Sequence, residues 1–286
     1  MPSSSRRHFL QTLTTGLPAA GLALSAAETD PSAPNFPLVD YHVHLNASFS
    51  LEEAIALSKR SGVKFGIAEH AGTKENQYPS IASNDRELEA WAARLEGLPV
   101  YKGIQAEWID WMTCFSKAAL SKIDYVLSDA MTIPGPGGRR EKMWLPSFDP
   151  GDAKQFMDKY VPWNVKVIET EPLDIFAHPT WLPAPLDQRA AELWTEERMK
   201  PIIQALRRTG TAVEIDSAYH IPPMPFLQMA KAAQLKFSFG SNSGSGPARA
   251  IDYCVETAKA LGLRASDMFV PAPRNRKPFA RRKILS

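Results

Sequence analysis

Leaving aside His8, the 286-residue chain has five histidines, and four of them, His42, His44, His70 and His178, sit at the ends of short β-prone runs. His42 and His44 are two residues apart. On a strand that spacing sends both imidazoles to one face, where they can reach one cation together. Glu107 and His178 close two later runs and add a carboxylate and a further ring nitrogen. Nitrogen and oxygen donors of this kind suit zinc, manganese or iron better than calcium. Buried without a metal, the same groups would need other partners to offset their desolvation. A bound divalent ion brings the pKa of its water towards neutrality and polarises the bond under attack. The expected chemistry is metal-assisted hydrolysis, with His42, His44, Glu107 and His178 holding the ion and His70 binding it or shuttling protons. Glu69 and Asp129 are both candidates for the general base.

These side chains need a frame that gathers strand ends. β-prone runs at 38–45, 64–70, 100–109, 125–132, 174–178, 212–216 and 236–240 alternate with helix-like stretches. The helical stretches are 51–61, 85–96, 116–121, 153–169, 195–209, 225–234 and 248–261. Gly62, Gly97, Gly210 and Gly262 fall just past helix ends, and Asp85 and Thr195 stand where N-caps belong. Such alternation predicts βα units around a parallel sheet, and seven units fit. The polar residues choose between an open and a closed sheet. Asp40, His42 and His44 share one predicted face against Val39, Tyr41 and Val43. Gln105 and Glu107 oppose Ile104 and Ala106, and Glu214 and Asp216 oppose Val213 and Ile215. A polar inner face with an apolar outer one fits a barrel covered by helices, with its active site at the C-terminal strand ends.

The ordered blocks Asp-Tyr-His42-Val-His44-Leu, Gly-Ile-Ala-Glu69-His70, Gly-Ile-Gln-Ala-Glu107, Asp-Ile-Phe-Ala-His178-Pro, Val-Glu214-Ile-Asp and Phe-Gly-Ser241-Asn242 resemble the PHP family. That family is named for its polymerase and histidinol-phosphatase members. The resemblance implies an α/β fold, a distorted seven-stranded (β/α) TIM-like barrel, with up to three metal ions and usually phosphoesterase activity. It also implies that His42, His44, His70, Glu107 and His178 occupy metal-ligand positions. The chain departs from the family pattern in three places. Leu127-Ser128-Asp129-Ala130 has no histidine, Asn242 and Gly244 stand where the family has Asp and His, and Asn46–Ser50 lacks a further His. An amide binds a cation through a neutral oxygen and cannot serve as a base at neutral pH. The expectation is therefore one or two divalent ions, with Asn242 in or near the coordination shell.

For the substrate, a long loop at 133–144 carries Arg139, Arg140 and Lys142, which could grip phosphate or another anion. Trp108, Trp111, Trp144 and Trp181 lie beside or just after strand ends, where they could stack on a sugar ring or pack the rim. The leading expectation is a phosphoesterase acting on a small phosphorylated molecule. The alternatives are an enzyme on the same scaffold with a carbohydrate-type substrate, and an inactive ligand-binding barrel. An amidohydrolase-type barrel also opens with His-x-His, but its closing Asp and later His pair find no counterpart here.

The termini are expected to stand outside the barrel. Arg6-Arg7-His8-Phe9-Leu10 followed by an uncharged run reads as a twin-arginine export signal over 1–27, so the expected compartment is periplasmic or secreted. Residues 28–37 read as a linker, 38–270 as the barrel and 271–286 as a basic tail. Without Arg6 and Arg7 the chain has 31 basic and 31 acidic residues. Neutrality gives no reason to expect nucleic acid as a partner, and no stable membrane insertion is expected once the signal is removed. Cys114 and Cys254 form no disulfide framework, and no bridge is expected.

Overall fold

The computed structural model describes residues 35–243 and 251–272. The expected signal over 1–27 and the tail from 273 onward lie outside the described residues, as do most of the linker and the first residues of the last helix candidate. The chain begins with β1 (Val39–Val43), α1 (Leu51–Ser61), β2 (Lys64–Ala71), α2 (Asp85–Arg94), β3 (Tyr101–Ala106), α3 (Lys117–Leu120) and β4 (Tyr125–Ser128). Next come β5 (Thr132–Pro134), β6 (Arg140–Lys142), α4 (Ala153–Thr170), β7 (Ile175–Phe176), α5 (Ala190–Leu193) and α6 (Glu196–Thr209). It continues with β8 (Ala212–Asp216), α7 (Met224–Ala232), β9 (Phe237–Gly240) and α8 (Asp252–Leu261).

Seven strands, in the order β1-β2-β3-β4-β7-β8-β9, form a closed parallel barrel, sealed where Asp40 of β1 pairs with Phe239 of β9. Local sequence explains the helix ends. Ser50 Oγ accepts from the Glu53 N–H while the Glu53 carboxylate accepts from the Ser50 N–H, and Gly62 ends α1 at φ 70°. Helix α2 differs from expectation: Asn84 is its cap, accepting from the Glu87 N–H, and Asp85 is the first helical residue. Thr195 precedes α6 but makes no side-chain cap.

The alternation expected in β1 is broken. A register shift against β2 lies between Asp40 and Val43. Tyr41 consequently joins a small cluster with Tyr125, Leu127, Ile175, Ala177 and Ala212, whereas Val43 joins the main core beneath the helices. Tyr125 of β4 donates its hydroxyl to the Tyr41 carbonyl at 2.6 Å. Those strands are three apart around the wall, roughly 14 Å at ordinary strand spacing, so the phenol must cross the barrel interior. Gly66 and Gly103 make room for it, because a Cβ at Gly103 would lie 2.1 Å from the Tyr125 ring. This aromatic floor fills the lower barrel and leaves the upper end to polar groups.

Three expected elements change. The run at 125–132 divides into β4 and β5, and 133–144 is not an open loop. Thr132↔Lys142 and Pro134↔Arg140 pair as an antiparallel hairpin, turned by Gly137 and Gly138 at φ 67° and 77°. The run at 174–178 shortens to the two residues of β7, since His178 adopts φ 47° and leaves the strand.

Candidate metal centre

Four buried side chains meet at the top of the barrel. His42, His178, Glu214 and Asp216 each offer a ligand atom, and those atoms lie within 4.8 Å of one another. β1 supplies His42, β8 supplies Glu214 and Asp216 two residues apart, and the turn after β7 supplies His178. Glu214 joins the set: Oε1 is 2.7 Å from His42 Nδ1, and Oε2 accepts the His178 backbone N–H at 2.8 Å. The left-handed backbone of His178 therefore has a purpose, since it points both the N–H and the ring of one residue at the same carboxylate pair.

The second His42 nitrogen, Nε2, is 3.0 Å from Gln105 Oε1, and the Gln105 amide donates to Asp129 Oδ2 at 3.0 Å. The amide's orientation is fixed by that donation, so both ring nitrogens of His42 face acceptors. Burial opposes charge on this ring, but Glu214 outweighs it and the His42 pKa is raised. His178 behaves alike. Desolvation lowers its pKa, yet Asp216 and Glu214 together push it up to about 9. Asp216 is driven up by burial and down by the His178 ring, with a net shift below the ordinary carboxylate range.

The ion-pair geometry is imperfect in an informative way. His178 Nδ1 is 2.8 Å from Asp216 Oδ2, but the two are out of line and neither atom makes a hydrogen bond. His44, just past the end of β1, has the same quality. Its Nδ1 bonds the Ala68 carbonyl at 2.8 Å, leaving Nε2 buried without a partner. Burial, then the nearby His70 and His42 rings, hold His44 neutral, with its pKa well below the usual histidine value. A neutral imidazole anchored through one nitrogen with the other free is the form that ligates metals. Buried orphaned donors and a His₂/Asp/Glu set fit zinc, manganese or iron.

The sequence-predicted residues separate into groups. His42 and His178 come together, with ring centroids 4.9 Å apart, and His44 is 5.1 Å from His42. Glu107 is engaged by His70, whose Nδ1 lies 2.7 Å from Glu107 Oε1. The His70 ring stacks between His44 at 4.5 Å and Tyr78 at 3.9 Å. A cavity of about 400 Å³ opens over these groups, walled by His44, His70, Tyr78, Asp129, His178 and Asn242 among others. Asn242 is in that wall at φ 46°. Asp129, whose pKa burial raises, is also in that wall, its oxygens accepting from the Gln105 amide and the Met131 N–H. Glu69 lies elsewhere: it accepts from the His70 N–H and from Ser80 Oγ, and it lines a separate depression beside Trp91 and Arg94.

The basic hairpin residues are distributed unequally. Arg140 donates to Thr73, Asn76 and Asp110 at 2.6, 2.8 and 2.6 Å and so fastens the hairpin to the loops after β2 and β3. Arg139 is largely exposed beside Glu141. Lys142 approaches the cavity rim: its ammonium donates to the Asn76 carbonyl and stands 4.6 Å from the Tyr78 ring centroid and 5.6 Å from that of Trp144. Trp108 packs on Trp163 at 5.3 Å, while Trp181 is buried edge-on to Tyr219 at 6.3 Å.

Sequence reasoning placed Glu214 and Asp216 on the inner face without making them ligands. Their Glu-x-Asp spacing on a strand mirrors His42-x-His44, and the same period-two argument would have found them.

No protein-family model matches the chain, and no curated protein matches it in sequence. Among solved structures the chain is similar to a histidinol phosphate phosphatase from Lactococcus lactis subsp. lactis Il1403, crystallised with zinc, L-histidinol and phosphate. The match has 14% identity and a TM-score of 0.49 over 79% of this chain and 92% of that one.

Proposed function

We propose that the chain is a metal-dependent hydrolase and that its substrates are phosphate esters. The observation that carries this reading is the buried His42–His178–Glu214–Asp216 cluster, in which a 2.8 Å nitrogen–oxygen contact makes no hydrogen bond. Atoms of a shared coordination sphere lie near each other at about this separation without pointing at one another, because each points at the ion. When bound, a divalent ion would supply an activated water and polarise the phosphoryl oxygen.

The chain's own residues supply the rest. Glu214 pairs with the His42 ring and accepts the His178 backbone N–H, Gln105 fixes the His42 ring against Asp129, and Asp129, whose pKa burial raises, stands at the cavity wall. Lys142 offers positive charge at the rim to the ester's free oxygens. Hydrolysis breaks one P–O bond, adds the water oxygen to phosphorus and releases the alcohol with a proton. The preference for phosphate draws on the sequence resemblance to the PHP family together with this rim charge.

The deciding experiment combines elemental analysis of the purified full chain with a panel of phosphate mono- and diesters and glycosides, assayed with manganese, zinc and iron. Bound metal with ester turnover is expected. Glycoside turnover alone would move the assignment to carbohydrate, and ligand binding with neither metal nor turnover would make the barrel a binding protein. Residues 1–27 are proposed to direct twin-arginine export. Replacing Arg6 and Arg7 by Lys should retain the protein in the cytoplasm.

A further inference from the structure

We infer that the substrate carries a bulky apolar group on its leaving side, and that this group lies in a cleft beside the metal pocket. The inference rests on the hydrolase reading above. The cleft, about 990 Å³, shares Trp144 and Tyr219 with the 400 Å³ cavity over His178. It is continuous along the chain as well: His178 belongs to the metal cluster, and Thr180, Trp181 and Leu182, only a few residues on, form part of the cleft wall. Tyr219 stands edge-on to both sides, 5.5 Å from the His178 ring and 6.3 Å from Trp181. A molecule whose reacting atom lies at His178 can therefore extend into this cleft.

The lining says what extends there. It has no Lys or Arg, and its one carboxylate is Asp187. Four large apolar side chains stand exposed among the described residues. Leu145 and Tyr219 line the cleft, and Met224 lies between Pro223 and Pro225, which also line it. Exposed apolar surface gathered at one concave place marks a site that something apolar covers. An alkyl or aryl group gains there from leaving water, whereas a second phosphate would lose hydration without finding a Lys or Arg in return.

The test compares methyl, hexyl and 2-phenylethyl phosphates, whose leaving alcohols differ little in acidity, with the manganese-loaded full chain. The larger two should exceed methyl phosphate in kcat/KM by about 100-fold, the size of effect expected from burying several methylene equivalents. Ala191→Trp fills the cleft from an exposed position on its wall. It should lower kcat/KM for the two large esters about 10-fold and leave methyl phosphate unchanged. In parallel, 1-naphthol binding to the metal-free protein, followed by calorimetry, should weaken about 10-fold in the same variant. Equal rates for all three esters, untouched by Ala191→Trp, would overturn the cleft assignment and leave the hydrolase reading intact. Turnover of none, with 1-naphthol binding still lost in the variant, would sink the hydrolase reading and keep the cleft as an apolar ligand site. Binding of 1-naphthol that fades as protein concentration rises would hand the cleft to a second copy of the chain and overturn the proposal.

Discussion

Glu214 Oε1 and His42 Nδ1 meet at 2.7 Å with both side chains sealed from solvent. The other Glu214 oxygen accepts the His178 backbone N–H at 2.8 Å, so one carboxylate ties the His42 ring to the turn that carries His178. Glu214→Ala removes one member of a buried ionic set and strands His42, which should destabilise the metal-free protein by about 3–5 kcal/mol. Urea denaturation of wild type and variant measures this. Glu214→Gln restores hydrogen-bonding shape without charge. It should recover part of that stability but bind zinc at least about 10- to 100-fold more weakly, the range seen when a ligand's orienting partner is lost. A variant of full zinc affinity would remove Glu214 from the centre.

Metal binding should release protons. His178 is pushed up to about 9, so at pH 7 its ring carries an extra proton that a metal must displace, and the raised His42 pKa acts in the same direction. Zinc affinity should rise between pH 6 and pH 9 by about 10-fold per pH unit for each proton released. Isothermal titration in buffers of different ionisation heat counts those protons. Stability of the metal-free protein should run the opposite way. The folded pKa of His178 lies above its unfolded value, so its contribution is complete below about pH 6.5 and disappears as pH rises towards 9. Thermal unfolding of metal-free protein across that window should show a falling midpoint.

How much of this was legible in the sequence follows from which forces are local. The alternation of periods, and glycines at helix ends such as Gly62 and Gly210, are local signals, and they placed seven strands and most helices within a few residues. Period-two faces were read well where the strands are regular, as in Gln105 against Ile104 or Glu214 against Val213. They failed in β1, where the register shift is set by the neighbouring strand and by Tyr125 crossing from the far wall. The hairpin at 132–142 was missed for a related reason. Arg140 is a surface-type residue by composition, and only the distant Thr73, Asn76 and Asp110 turn it into an anchor. Which carboxylate faces which imidazole is likewise a question of barrel closure, which brings Glu107 to His70 and Glu214 to His42.

Asp40 provides a stability test outside the ligand set. Its Oδ1 accepts from the His42 and Ser241 N–H groups, while Oδ2 is buried without a partner. Burial, opposed in part by these hydrogen bonds, raises its pKa to about 6. A carboxyl whose folded pKa exceeds its unfolded value favours the fold most below about pH 4, and that advantage is lost as pH rises through 6. Asp40→Asn keeps the accepting oxygen and removes the buried charge. The variant should lose the stability slope between pH 4 and pH 6 and be at least as stable as wild type at pH 8. Equilibrium denaturation at those three pH values checks this. A variant weaker by more than about 2 kcal/mol at pH 8 would mean that the charge has a partner of its own.

The three basic residues of the hairpin should separate by role. Arg140 makes three charge-assisted donations from a nearly buried position, so Arg140→Ala should cost about 2–3 kcal/mol of stability. Arg139 is mostly exposed and its contact with Glu141 is 3.9 Å, so Arg139→Ala should change stability by less than about 0.5 kcal/mol. Lys142 differs from both, because its ammonium stands over Tyr78 at the cavity rim and burial lowers its pKa. If it meets the ester's free oxygens, Lys142→Ala should raise KM for phosphate esters roughly 10-fold with a smaller change in kcat, since the charge is felt by bound substrate and transition state alike. Arg139→Ala should leave KM alone. Denaturation curves and steady-state kinetics on the three single variants separate a fastener, a solvated charge and a substrate contact, and an unchanged KM in Lys142→Ala would remove the last of these.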